Sequence, residues 1–168
     1  MTALASVPTS PLPAAGRSQA ITAIVLAGCA AATVDLIYIS TYSYLMAGVM
    51  PVRILKSIAT GLLGTDALNG GAGVATLGFV AHYVILIVAA SFYWAASRRI
   101  PFLTQRAFLA GILYGLAIWL VMNYIVLPLS AAPKFNGPML GKVCNFAAHL
   151  LLIGPALALT IKRFAPRT

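Results

Sequence analysis

Apolar residues run through this chain in four long blocks, and every lysine and arginine falls between the blocks or beyond them. The blocks extend from Ala20 to Met46, Val74 to Ser97, Ala107 to Ser130 and Val143 to Ile161. A helix rising about 1.5 Å per residue needs around 20 mainly apolar residues to cross a hydrocarbon core of about 30 Å, and the four blocks meet that length. The second connection, Arg98 to Arg106, holds Pro101, and the third, Ala131 to Lys142, is broken by Pro133, Gly137 and Pro138. Such residues stop helices, and connections this short make neighbouring helices antiparallel. The expected fold is therefore all-α: a polytopic membrane protein built as an antiparallel four-helix transmembrane bundle.

The first connection, Ala47 to Gly73, is longer, and its first half reads PVRILKSIATGLLG. Pro51 suits the first turn of a helix, Ile54, Leu55, Ile58 and Leu62 recur at helical spacing, Arg53 and Lys56 fall off that stripe, and Gly64 can end it. The pattern predicts a short amphipathic helix, too short to span, that lies on the membrane surface or dips in and returns. The glycine-rich LNGGAGVATLG that follows has neither the GxGxxG spacing nor the preceding strand that phosphate cradling requires. Residues 1–19 carry Pro8, Pro11 and Pro13 without a helical apolar face and read as a flexible cytoplasmic tail. Residues 20–162 form one membrane domain, and 163–168 a short basic tail.

Composition closes off the soluble alternative. Of the 168 residues, 61% are apolar and 8% charged, a third of the roughly 25% that soluble domains carry. A net charge of +9 would point to nucleic acid in a soluble chain, but cations placed between apolar blocks act as membrane flanks, and no nucleic-acid partner is expected. The positive-inside bias sets the orientation. With a cytoplasmic N-terminus, Arg17, Arg98, Arg99, Arg106, Lys162, Arg163 and Arg167 lie inside, against Arg53, Lys56, Lys134 and Lys142 outside. Both termini are then cytoplasmic. Cys29 and Cys144 sit within apolar blocks and form no disulfide framework or CxxC motif. Leu26 to Cys29 spell a lipobox-like LAGC, but apolar sequence continues from Ala30 to Met46, which favours an uncleaved first span over lipid attachment.

Chemistry in such a chain is confined to few residues. Two histidines and two acidic residues occur, and three of these four groups fall within expected spans. Counting about 1.5 Å per residue from each outer helix end puts Asp35 about 16 Å deep, His82 about 12 Å, Asn123 about 10 Å and His149 about 9 Å. Each span thus contributes one strongly polar group to a single layer. An aspartate there costs about 2.5 to 3.5 kcal/mol on insertion scales, so Asp35 needs a partner, with His82, His149 and Asn123 as candidates. Tyr38 and Tyr42 share the helical face of Asp35, Asn145 that of His149, and Trp119 that of Asn123. The plainer use of the asparagines and tyrosines is hydrogen bonding between helices. Asp35, His82 and His149 are the only candidate ligands for a transition metal, the two histidines the only ones for haem iron, and no cofactor is predicted because neither a paired E-x-x-H motif nor a second carboxylate accompanies them.

The remaining features are architectural. Gly111 and Gly115 form a GxxxG in the third span, and Ala27 with Ala31 a small-xxx-small pair in the first; both allow close helix packing within the bundle, or else against a second copy or a membrane-complex partner. Pro128 and Pro155 withhold amide hydrogens from the carbonyls of Tyr124 and Leu151, predicting kinks in the third and fourth spans. Arg53 and Lys56 lie near the outer mouth of the polar layer, as candidate contacts for anions or lipid headgroups.

With these residues in view, GFVAHYVILIVAASFYWAA, SRRIPFL, AGILYGLAIWLVMNYIVLPLSAAP and CNFAAHLLLIGPA resemble the small, uncharacterised multi-span inner-membrane proteins of the YagU-like kind in proteobacteria. The resemblance runs from Gly78 to Pro155 and implies a bacterial inner-membrane location. The sequence alone favours a membrane protein whose polar site, Asp35, His82, Asn123 and His149, binds or relays a small polar species or protons. The alternatives are an accessory subunit of a larger membrane complex and a lipid-, metal- or haem-binding membrane protein. A membrane enzyme is disfavoured, since no nucleophile stands beside a base. Four spans are few for an alternating-access carrier, so transport would require a dimer.

Overall fold

The computed structural model describes residues 14–133 and 137–165. Pro8, Pro11, Pro13, Lys134 and Arg167 lie outside the described residues. Within them the chain is helical, without strands. Helix α1 covers Ala14–Ala47, α2 Pro51–Leu63, α3 Ala72–Ser97 and the single turn α4 Phe102–Gln105. Helix α5 covers Ala107–Leu129 and α6 Met139–Arg163. Helices α1, α3, α5 and α6 are long and apolar enough to cross a membrane.

Two helix starts move by four residues or more from the sequence reading. Helix α1 starts at Ala14, ahead of Ala20, because its first turns are held at the far end of the chain: Gln19 Nε2 donates to the Phe164 carbonyl over 3.3 Å. Helix α6 starts at Met139, ahead of Val143, directly after Pro138, whose missing N–H costs nothing at a helix start. Helix α2 forms as expected from Pro51, and it stops at Gly64, whose φ of 72° is left-handed and whose N–H closes on the Thr60 carbonyl at 2.9 Å. A 3-10 turn, Thr65–Asn69, leads to α3.

The packing is inverted relative to a water-soluble bundle. Ala23, Ala27, Ala31, Ala32, Ala90 and Ala158 have no exposed surface, whereas Ile21, Leu45, Phe92 and Leu129 are 63%, 69%, 67% and 83% exposed. Small residues inside and bulky apolar residues outside suit helices that gain nothing from hiding hydrocarbon and associate instead by close backbone approach. Helix α1 packs on α3 and α6, α5 on α6, and α2 on α3. At each of these contacts but one, a glycine admits the neighbouring backbone. A Cβ on Gly28 would lie 2.5 Å from Ile87 Cα, one on Gly78 would strike the Leu55 carbonyl, and one on Gly111 would lie 2.6 Å from Pro155 Cα. Gly115 faces the carbonyl of His149, and Gly154 fits against Gly111 and Gly115. The GxxxG surface of α5, on which a partner was one expectation, is thus occupied by the chain's own last helix. The exception is α1 on α6, where alanines serve.

The expected kinks take a particular form. Helix α5 is widened to a π-turn over Met122–Val126, and α6 over His149–Ile153. In each, an N–H reaches back five residues, Leu127 to Met122 and Gly154 to His149. Pro128 and Pro155 follow at the same offset from the end of the widened turn. Because a proline cannot donate, the turn ahead of it loses an α-type bond, and widening re-satisfies the neighbouring carbonyls.

Candidate polar site

Asp35 sits on α1 one turn after Ala31 and Ala32, which are fully buried against the neighbouring helices. That register turns its carboxylate inward, and its side chain is 16% exposed. From α3, the 7% exposed His82 reaches the same place. Its Nε2 lies 3.1 Å from the Ala32 carbonyl and 3.7 Å from Asp35 Oδ2. The carbonyl can only accept, so Nε2 carries the hydrogen, and the 3.7 Å approach is an electrostatic contact rather than a hydrogen bond. One N–H is thus presented to two acceptors a helical turn apart on α1.

His149 approaches from α6. Among the described residues the ion pair of Asp35 is with His82 alone. The Nδ1–H of His149 is donated to the Asn145 carbonyl of its own helix at 2.9 Å, which fixes the ring and leaves Nε2 as the free nitrogen. His149 is the first residue of the α6 π-turn, and its carbonyl is the group against which Gly115 packs. Backbone widening, the glycine of α5 and the orientation of the imidazole are therefore parts of one arrangement, and π-turns recur at functional sites.

The supporting residues fall around this centre unequally. Tyr38 and Tyr42 stack along α1 with centroids 6.0 Å apart, and the Tyr42 hydroxyl lies against Gly141 in the first turn of α6. Tyr38 follows Asp35 by one helical turn, and its hydroxyl is the one buried side-chain polar atom among the described residues without a protein partner. Asn123 turns back onto its own helix, with Nδ2 donating to the Trp119 carbonyl at 2.8 Å; among the described residues no hydrogen bond joins it to Asp35 or to either histidine. It shares with His149 a place in a π-turn. Trp119 packs edge-on against Phe146 of α6, centroids 5.0 Å apart. Arg53 and Lys56 lie on α2, exposed and half-buried respectively.

Among the described residues no three His, Cys, Asp or Glu side chains gather closely enough to hold a metal ion. Asp35, His82 and His149 are thus not gathered as a ligand set. Sequence reasoning missed three contributors: the Ala32 carbonyl, the hydrogen bond between Thr33 Oγ1 and the Tyr83 hydroxyl at 2.9 Å that ties α1 to α3 beside the site, and Gly154. Only Gly154 left a signal, as the small residue that a GxxxG needs opposite it. Comparison of the chain with protein-family models, curated proteins and solved structures finds no match.

Proposed function

We propose that the chain is a bacterial inner-membrane protein of four antiparallel spans, with both termini cytoplasmic, and that Asp35, His82 and His149 form a site that takes up and releases protons within the bilayer. The observation that carries this reading is one carboxylate, 16% exposed, with the buried imidazole of His82 from a second helix 3.7 Å away. A carboxylate in a span is costly to keep and marks proton or ion pathways more often than it marks packing. The inverted distribution of small and bulky residues supports the membrane setting, and the balance of Lys and Arg supports the orientation.

The chemistry follows from the two acceptors facing His82. With Asp35 protonated, the Nε2–H bonds the Ala32 carbonyl; with Asp35 ionised, the same hydrogen is drawn toward Oδ2, and His149 Nε2 is free to take a proton. A charge arriving at the site is shared by three groups on three helices, so protonation alters how α1, α3 and α6 hold together. Helix α2 lies along the non-cytoplasmic interface, where Arg53 and Lys56 meet headgroups.

Infrared difference spectroscopy of the protein in lipid vesicles tests the proposal. A carboxylic C=O band that grows and fades with pH, and is lost in Asp35→Asn while the helical amide bands persist, is the expected result. A band that does not respond to pH, or one that Asp35→Asn leaves in place, refutes it.

A further inference from the structure

The surroundings of Asp35 differ sharply along the axis of α1. Toward the end that carries Arg98, the interior is closed. Ala27 and Ala31 of α1, Ala90 of α3 and Leu157 and Ala158 of α6 have no exposed surface, and Gly28 brings the α1 and α3 backbones into contact. The tyrosine hydroxyls further along are consumed locally: Tyr93 donates to the Leu103 carbonyl at 2.8 Å and Tyr114 to the Ala89 carbonyl at 2.6 Å. Among the described residues, the hydroxyls of Thr22 and Ser91 in this half are likewise spent on carbonyls of their own helices. Toward the end that carries α2, polar groups continue instead along the seam between α1 and α6. Tyr38 lies one turn from Asp35 and Tyr42 one turn further, where its hydroxyl meets Gly141 at the start of α6. Seven residues of helix separate Asp35 from Tyr42, a rise of about 10 Å.

The Tyr38 hydroxyl is buried between these two without a protein partner. A buried hydroxyl in that condition is ordinarily satisfied by a bound water. The adjoining groove of about 480 Å³ is bordered by Tyr38, Thr41 and Tyr42 as well as by Val34, Ile37, Leu45 and Leu152, so the two tyrosines stand at the edge of a mainly apolar groove that suits hydrocarbon.

Resting on the proposed proton site, we infer that Asp35 exchanges with one side only, the side that carries α2, through a water-bridged line formed by the Tyr38 and Tyr42 hydroxyls in the α1–α6 seam. Protons leave Asp35 to a water held by Tyr38, pass to the Tyr42 hydroxyl and reach solvent at the partly exposed Tyr42, which covers the buried Gly141. The molecule is accordingly a one-sided proton-binding device, closed toward the other face, and Tyr38 is a positioning residue that holds the bridging water.

The test uses the full chain in vesicles of uniform orientation, with sidedness set by protease cleavage at the Arg98–Arg106 connection. The infrared band of Asp35 is followed after a rapid pH change on one side at a time. The band responds to a change on the α2 side and ignores one on the Arg98 side. Tyr38→Phe, which keeps the ring and its packing, slows the response by roughly fivefold or more, as loss of a hydrogen-bonding group on the path requires. A charged methanethiosulfonate added on the α2 side labels Cys144, one turn after Gly141 on α6, faster than Cys29 of α1, and Gly141→Leu closes that route. Response to the Arg98-side change, or an unslowed response in Tyr38→Phe, overturns this inference and leaves the proton site standing. A wild-type band that answers neither change removes the proton site itself.

Discussion

Replacing Gly115 by alanine adds one methyl group where the backbones of α5 and α6 touch. The new carbon would overlap the His149 carbonyl oxygen, lie 2.7 Å from its carbonyl carbon and 3.1 Å from Leu150 Cα. Carbon atoms pack at about 3.5 to 4.0 Å, so the helices must part by roughly 1 Å. The neighbour that has to give is backbone inside a π-turn, with Gly154 already seated against Gly111 and Gly115. Overpacking of this kind costs about 1 to 3 kcal/mol, and the helical advantage of alanine over glycine returns about 1 kcal/mol at most. Because the obstacle is backbone, the cost falls at the upper end of that range, and a net loss of about 2 kcal/mol is expected, together with displacement of His149. Denaturation of the detergent-solubilised protein, followed by circular dichroism, measures it. Gly73→Ala is the control: its Cβ meets nothing within 4 Å in the first turn of α3, so the same chemical change there stabilises by up to about 1 kcal/mol. Equal stability of Gly115→Ala and wild type would refute the close approach of α5 and α6.

Three further outcomes follow from other parts of the fold. His82→Ala strips Asp35 of its nearest imidazole and removes the bond to the Ala32 carbonyl. It lowers unfolding stability by about 3 kcal/mol, whereas Asp35→Asn, which leaves no unpaired charge, costs less than half as much in the same assay. Tyr93→Phe orphans the Leu103 carbonyl that the hydroxyl meets at 2.8 Å, and lowers stability by about 1 to 2 kcal/mol. Gly64→Ala places a side chain at φ 72° and destabilises by about 1 kcal/mol, while Gly71→Ala, in open space without that constraint, changes stability by less than about 0.5 kcal/mol.

The four long helices were legible because runs of apolar sequence bounded by prolines and cations leave little freedom, and α2 because Pro51, its spaced aliphatics and Gly64 agree. Its stripe is used differently from the expectation. Gly78 admits the backbone of α2 at Leu55 and Ala59, so the buried positions are Ala59 and Thr60, and Leu62 stays 63% exposed. Periodicity finds the apolar stripe of a helix but not the glycine on a neighbour that chooses which part of it is covered. The approach of His82 to Asp35 could be anticipated from the cost of a lone carboxylate. The local bond of Asn123 to Trp119 could not, because it depends on a π-turn, and nothing in the one-dimensional pattern separates a proline that bends a helix from one that widens it. Backbone acceptors such as the Ala32 carbonyl are likewise invisible in a list of side chains, since every residue carries one.

The meeting of the Asp35 carboxylate with the His82 imidazole, and its coupling to His149, are tested most directly by solid-state NMR of the protein in lipid bilayers, with Asp35 carbon-labelled and both histidines nitrogen-labelled. Dipolar transfer from the Asp35 carboxyl carbon to His82 Nε2, consistent with the 3.7 Å contact to Oδ2, is predicted, along with nitrogen shifts of His82 and His149 that move over the same pH interval as the Asp35 carbon. No transfer to His82, and histidine shifts that move independently of Asp35, would contradict the account.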